Sequence, residues 1–225
     1  MTDPATASLS TSERDLVEEL LDAAHHLAAL GLSPGSSGNV SIRIGNDVLL
    51  SGTGTRMADL GAEGLSRVDL QGGLVGGPRP TKEAPLHLAF YRRVPALRCV
   101  IHLHSPSAVA ASCLPPYSER SALPPITPYF VMRVGQTPLL PYAPPGALEH
   151  GHSIAALTFP FRAALLQNHG AVCAGITVAA ARDAAIELEA TSEVLLKLPA
   201  SGYHALSEEQ AAAVATLHRS HWGAA

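Results

Sequence analysis

The sequence predicts an α/β fold in which one sheet, rich in antiparallel pairs, is covered by helices. Three observations point there. Helical and strand-like hydrophobic periods both recur along the 225 residues. The strand-like segments come in neighbouring pairs joined by short turns. The chain also lacks the regular strand–helix–strand alternation that builds a doubly wound parallel sheet. The length sets one domain or at most two, and lets the chain bury roughly 70% of its unfolded surface. A flexible tail is expected over residues 1–11, followed by a single domain over 12–225.

The elements follow in order. Ser12 with Asp15 reads as a capping-box-like start. Leu16, Val17, Leu20, Leu21, Ala24, Leu27 and Ala28 then recur at helical spacing, and Gly31 closes that helix. Ser33-Pro34-Gly35-Ser36-Ser37-Gly38-Asn39 is a tight loop of small residues. Val40–Ile44 and Val48–Ser51 are strands around a Gly45-Asn46-Asp47 turn. A second small-residue loop, Ser51–Thr55, comes next. Leu65–Val75 is a hairpin candidate through Gly72-Gly73. Thr81–Val94 carries a helix with Pro85 in its first turn. Arg98–Leu103 is a strand and Ser105–Leu114 a short helix.

Residues 115–146 hold half of the eighteen prolines. They read as irregular structure with strand pieces, placed to cover a subunit interface. Gly146–Leu157 is helical. Arg162–Gln167 and Ala171–Ala174 are strands flanking Asn168-His169-Gly170. Thr177–Leu198 is the longest helix, and residues 207–221 form one more.

Composition excludes several classes. Apolar residues make up 47% and charged residues 15%, against a usual ~25% charged. That balance rules out global disorder and points to a surface covered in part by other copies of the chain. A net charge of −4 without a Lys/Arg run speaks against nucleic-acid or polybasic membrane binding. Cys99, Cys113 and Cys173 are too scattered for a disulfide framework or a zinc knot. The start Met1-Thr2-Asp3-Pro4 has no signal-peptide pattern, and no apolar run reaches ~18 residues. The expectation is a soluble cytoplasmic protein.

Eleven histidines stand out in so uncharged a chain. His102-Leu103-His104 closes the apolar run Cys99-Val100-Ile101. In a strand, residues i and i+2 share a face, so both imidazoles point the same way. An open catalytic metal site needs a third ligand from elsewhere. His169, in a sharp turn between apolar strands, is the best candidate. A single buried histidine is ordinarily a satisfied core residue; the combination favours a metal. His150-Gly151-His152 has the same spacing but reads as helix, where i and i+2 diverge by about 200°, so it is set aside. His87 falls one turn after Glu83, and a site role and a structural role both stand. Glu83, at the opening of its helix, is the candidate proton carrier, and the helix N-terminus favours anions.

Taken together, Leu32–Ser41, Thr53-Gly54, Pro80-Thr81-Lys82-Glu83, His102-Leu103-His104-Ser105 and Asn168-His169-Gly170 resemble the motifs of the class II aldolase/adducin family, in its order and spacing over residues 12–198. Ser33–Asn39, Pro80–His87 and Pro125–Gly135 look most like its 3-oxo-tetronate 4-phosphate decarboxylase branch, with fuculose-phosphate aldolase more distant. The resemblance implies a three-layer α/β/α domain around a mostly antiparallel sheet, and a homotetramer with active sites between subunits. It implies a divalent metal on His102, His104, His169 and Glu83, zinc first, with manganese or cobalt as alternatives. Glu83 matches the acid/base. Asn39, Thr53, Gly54, Thr81 and Lys82 match phosphate-pocket positions. Tyr129 matches a tyrosine that reaches a neighbour's site.

The chain departs from the aldolase pattern at Lys82, where the pocket has a small hydroxyl residue. A lysine there suits a second anion such as a substrate carboxylate, although it also fits an outward-pointing helix residue. The activity this implies is metal-dependent decarboxylation of a 3-oxo-tetronate 4-phosphate to dihydroxyacetone phosphate and CO₂ through an enediolate. A sugar-phosphate aldolase of the fuculose or ribulose type is the alternative, since it forms the same enediolate. A non-catalytic adducin-like scaffold is the rival from another class, and it would not need the metal residues. Residues 199–225 match nothing in the family.

Overall fold

In the computed structural model, which describes residues 5–6, 9–199 and 202–223, two hairpins begin the sheet. The first is β1 (Asn39–Ile44) with β2 (Asp47–Ser51), and the second is β3 (Leu65–Asp69) with β4 (Leu74–Gly76). The remaining strands are β5 (Cys99–Leu103), β6 (Leu139–Leu140), β7 (Ala163–Leu166) and β8 (Gly170–Gly175). All eight form one sheet in the order β4-β3-β2-β1-β5-β8-β7-β6. Only the short β6–β7 pair is parallel.

Strand residues alternate between two cores, one on each face. Ile42, Ile101, Leu165 and Cys173 point to one face, where they meet α1 (Thr11–Ala29), α3 (Pro106–Ser112), α4 (Pro128–Arg133), α6 (Val178–Lys197) and α7 (Glu208–His218). Val100, Val172, Ala164 and Leu50 point to the other, against α2 (Ala84–Arg93) and α5 (Glu149–Ala156). The result is a three-layer α/β/α domain around a mostly antiparallel sheet. Apolar residues on both faces of the central strands explain why β5, β7 and β8 read as short continuous apolar runs. No described helix is long and apolar enough to cross a membrane.

Several local readings change. The first helix is capped by Ser10, not Ser12. Ser10 accepts from the Glu13 backbone N–H, and the Glu13 carboxylate accepts from the Ser10 N–H. Of the tail expected over residues 1–11, residues 1–4 and 7–8 lie outside the described residues, while Ala5 and Leu9 are buried in the core. The proline-rich segment holds a helix where strand pieces were expected. Thr127 caps α4 through the Phe130 N–H, and Pro128 occupies its first turn. That start signal outweighs the β-forming bias of Tyr129-Phe130-Val131. Glu83 is the N-cap residue of α2, so Thr81 and Lys82 lie in the turn before the helix.

Candidate active site

The site sits at one end of the sheet, on the α2/α5 face. His102 is the penultimate residue of β5, on the same side as Val100. Its Nδ1 lies 2.8 Å from the Ala171 carbonyl on β8. An N–H given to that carbonyl leaves the Nε2 lone pair aimed into the site. His104 lies one residue beyond the strand, and the strand period carries its ring to the same side. The two Nε2 atoms are 2.9 Å apart.

His169 comes from the β7–β8 turn, and the turn's chemistry is local. Asn168 takes a left-handed conformation at φ 57°, which asparagine tolerates better than most residues. A side chain at Gly170 would fall on the Leu103 carbonyl, so only glycine lets β8 approach the end of β5. His169 Nε2 is thereby set 3.1 Å from His104 Nε2. A glycine is also needed on the opposite side. Gly38 has φ +78°, and a Cβ there would lie 3.0 Å from the His102 carbonyl.

Glu83 completes the group. Its Oε2 is 3.2 Å from His102 Nε2, and its Oε1 is 3.3 Å from His169 Nε2. Asn39, paired with His102 across the β1–β5 ladder, donates its amide to Oε2 at 2.8 Å. The Asn39 carbonyl oxygen accepts from His87 Nε2. His87 Nδ1 accepts from the Ser41 hydroxyl at 2.7 Å, and Ser41 accepts from Tyr91 at 2.8 Å. His87 is thus a buried support for Asn39, which settles its role as structural.

The electrostatics suit a metal. Burial alone would raise the Glu83 carboxyl. The facing His102 imidazole, the Asn39 amide and His169 outweigh it and hold the group well below the usual carboxylate range. Burial first, and the neighbouring His102 ring second, push both His104 and His169 down to about 4. At neutral pH this gives an anionic carboxylate beside the neutral imidazoles of His104 and His169.

The ligand atoms of Glu83, His102, His104 and His169 all lie within 4.8 Å of one another. A tetrahedral zinc with bonds of about 2.0–2.1 Å sets its donor atoms roughly 3.3 Å apart, close to the spacings seen here. Glu83 Oε1 is buried with no hydrogen-bond donor, a costly state for a carboxylate oxygen that a cation relieves. The residues therefore fit a divalent metal.

Above the cluster lies a pocket of about 290 Å³ whose walls include Ser36, Gly38, Thr53, Gly54, Thr81 and Lys82, with Glu83 and His104 at its base. Asn39 also lines it, although its amide is committed to Glu83 and His87. Tyr129 is not a wall of this pocket; it lies on α4, more than half exposed. A larger cavity of about 810 Å³ beside Arg93, Phe161 and Arg162 contains none of the expected site residues. One histidine escaped the sequence reasoning. His150 is buried, with its ring centroid 5.9 Å from that of His169, whereas His152 is exposed.

Comparison with known proteins agrees with this geometry. Residues 18–196 match the Class II Aldolase and Adducin N-terminal domain. A 3-oxo-tetronate 4-phosphate decarboxylase of Pectobacterium atrosepticum is 39% identical over 193 residues, covering 85% of this chain and 88% of that protein. A 5-methylthioribulose-1-phosphate/5-deoxyribulose-1-phosphate aldolase of Rhodospirillum rubrum is 31% identical, covering 77% of each chain. The crystal structure of YgbL from Klebsiella pneumoniae, a putative aldolase/epimerase/decarboxylase, superposes with a TM-score of 0.85 at 34% identity, covering 90% of this chain and 98% of that one. The chain belongs to the class II aldolase and adducin N-terminal domain family, as one of its lyases with a His/Glu cluster able to hold a divalent metal.

Proposed function

We propose that the chain decarboxylates a 3-oxo-tetronate 4-phosphate to dihydroxyacetone phosphate and CO₂. The observation that supports this best is one pocket lined by three things: Glu83 and His104 of the metal-fitting group, the small-residue loops, and Lys82. Relatives at 32–39% identity bear the decarboxylase name.

Zinc is the metal we favour for His102, His104, His169 and Glu83, since imidazole and carboxylate suit it in an open site. A divalent metal held there supplies a Lewis acid for the negative charge that develops on the substrate oxygens.

The chain's own residues carry the rest. Thr53, Gly54 and Thr81, with the backbone N–H groups of the small-residue loops, bind the phosphate away from the reacting carbons. Binding energy from that remote group holds the reacting end in place. Lys82 takes the substrate carboxylate. As the C1–C2 bond breaks, its electron pair moves into the C2–C3 bond and onto the C3 oxygen, and CO₂ leaves. Glu83, ionised at rest, takes the proton of the C2 hydroxyl and returns it to the C2 carbon. One solvent proton then restores the hydroxyl, so each turnover consumes one proton. Asn39 orients Glu83 throughout. Tyr129 from a neighbouring subunit is the alternative donor of the proton to C2, in a homotetramer whose sites lie between subunits. The exposure of Tyr129 and the low charge content support that assembly.

The test is a coupled assay on zinc-loaded protein given 3-oxo-tetronate 4-phosphate made in situ, then fuculose and ribulose 1-phosphates. CO₂ and dihydroxyacetone phosphate released together, and abolished by a chelator, is the expected result. Dihydroxyacetone phosphate formed from a ketose 1-phosphate without CO₂ would make the protein an aldolase instead.

A further inference from the structure

The metal cluster has an unfinished edge. A histidine that ligates through Nε2 carries its proton on Nδ1, and that N–H ordinarily meets a carbonyl, carboxylate or water. His102 follows the rule through the Ala171 carbonyl. His169 does not: its Nδ1 is buried with no hydrogen-bond partner. The neighbouring ring has the complementary defect. His150 is 2% exposed, and its Nε2 is also buried without a partner. The Pro141 backbone faces the His150 imidazole, and with Nε2 unpartnered the nitrogen it faces is Nδ1. A proton on Nδ1 makes His150 Nε2 an acceptor.

The rings are 5.9 Å apart between centroids and tilted by 40°, so the hydrogen bond needs the ring centres to draw together by several tenths of an ångström. Packing holds His150 there. Gly151 lets α5 lie against α2, since a Cβ at that position would sit 3.2 Å from the Pro85 carbonyl.

We infer that His150 is a positioning residue of the metal centre, its Nε2 accepting the Nδ1–H of His169 and so fixing the tautomer and orientation of that ligand. The inference rests on the reading of Glu83, His102, His104 and His169 as a metal site. It adds the Pro141–His150–His169 chain as support on the flank opposite Asn39. Leaving either nitrogen orphaned costs on the order of 1–3 kcal/mol, and one hydrogen bond satisfies both.

Zinc affinity, read by competition with a chromophoric chelator, tests this on the full chain and on His150→Leu and His150→Gln. The leucine variant removes the acceptor at similar volume and should bind zinc roughly 10–100-fold more weakly. Glutamine offers a carbonyl acceptor and should recover most of that loss. Leucine binding as tightly as the parent, or glutamine binding as weakly as leucine, overturns the inference. Imidazole ¹⁵N spectra of the zinc-loaded parent test it without a variant. Both rings should carry their proton on Nδ1, and a proton on His150 Nε2 overturns the assignment. A parent chain with no zinc affinity overturns the metal centre itself. Tight parent binding with an indifferent leucine variant overturns only the role of His150.

Discussion

Asn39 donates its side-chain amide to Glu83 across a buried 2.8 Å hydrogen bond. Behind that bond stand His87, Ser41 and Tyr91, each giving a hydrogen to the next polar atom in line. The chain ends on the carboxylate, so it holds Glu83 as an acceptor. Replacing Asn39 with leucine keeps the volume and removes both ends of its amide. The His87 N–H is then left unpaired at about 1–3 kcal/mol, and Glu83 loses its alignment. We expect kcat to fall roughly 10–100-fold, by analogy with other outer-shell partners of metal ligands, with a lower urea midpoint. Unchanged kcat in N39L would remove Asn39 from the positioning of Glu83.

Glu83 can be separated from the metal by a smaller change. In Glu83→Gln the amide oxygen still accepts from Asn39, and the three imidazoles are untouched. Zinc should stay bound, while proton transfer at C2 is lost. A positioned general acid/base is worth typically ~10²–10⁴-fold, so kcat for CO₂ release should fall by that order. Metal content by atomic absorption, measured beside turnover, reads the two effects separately. Turnover at the parent rate would mean that another group moves the proton.

Much of this site was legible because strand geometry is simple. A period of two puts His102 and His104 on one side, and the Asn-His-Gly turn marks a third histidine with a left-handed residue before it and a close backbone approach after it. Among the described residues, the longer helices and the hairpin strands were also readable where hydrophobic periods were long. Three features were not. The Ser10–Glu13 capping box lay two residues before the one chosen, and both spacings fit the motif. Tyr129-Phe130-Val131 has strand-forming side chains, but Thr127-Pro128 starts a helix whose buried face only the tertiary fold reveals. His150 was set aside because it cannot share a helix face with His152. That geometry holds, yet it says nothing of α5 lying against α2, which places His150 and not His152 beside His169. Gly151 was the available signal, as a small residue that lets two helices approach.

Metal removal should be visible in stability as well as activity. A metal that binds only the folded chain adds about 2.7 kcal/mol when its free concentration is 100 times Kd. The chelated protein should therefore melt at a lower temperature than the zinc-loaded one and recover when zinc is returned. His104→Ala should behave like the chelated parent and ignore added zinc, because its ring makes contact chiefly with the other ligands. Zinc stabilising H104A as much as the parent would place the ion elsewhere.

His87 gives a pH dependence with a defined sign. Burial, reinforced by the nearby His102 ring and opposed by Glu83, pushes its imidazole from 6.5 down to about 3. Between those values the unfolded chain holds a proton on this residue and the folded chain does not. More protons on the unfolded state mean that stability rises with pH across the window. His87 therefore removes stability as pH falls from 6.5 towards 3 and contributes no slope above 6.5. Imidazole NMR of the folded protein should show this ring neutral at pH 5, as the acceptor role of Nδ1 toward Ser41 requires. A midpoint near the ordinary histidine value would show that the ring is not sealed from water.

Lys82 separates the two readings of the pocket. Its stem packs against the loop at Gly146, where φ is +86° and a Cβ would lie 2.9 Å from the Lys82 Cβ. The ammonium forms no ion pair among the described residues. An exposed cation that lines the pocket, with no ion pair among the described residues, suits a carboxylate ligand. Lys82→Met keeps the stem and removes the charge. A hydrogen bond to a charged group is worth about 1.5–3 kcal/mol, so kcat/KM for the keto acid should fall roughly 10–100-fold. If the carboxylate is held equally in the ground and transition states, the loss appears in KM. A larger loss in kcat would mean that Lys82 acts on the departing CO₂. A KM within about twofold of the parent, well short of that energy, would return Lys82 to the role of a solvated residue before α2, and the preference for an acid substrate would lose its structural basis.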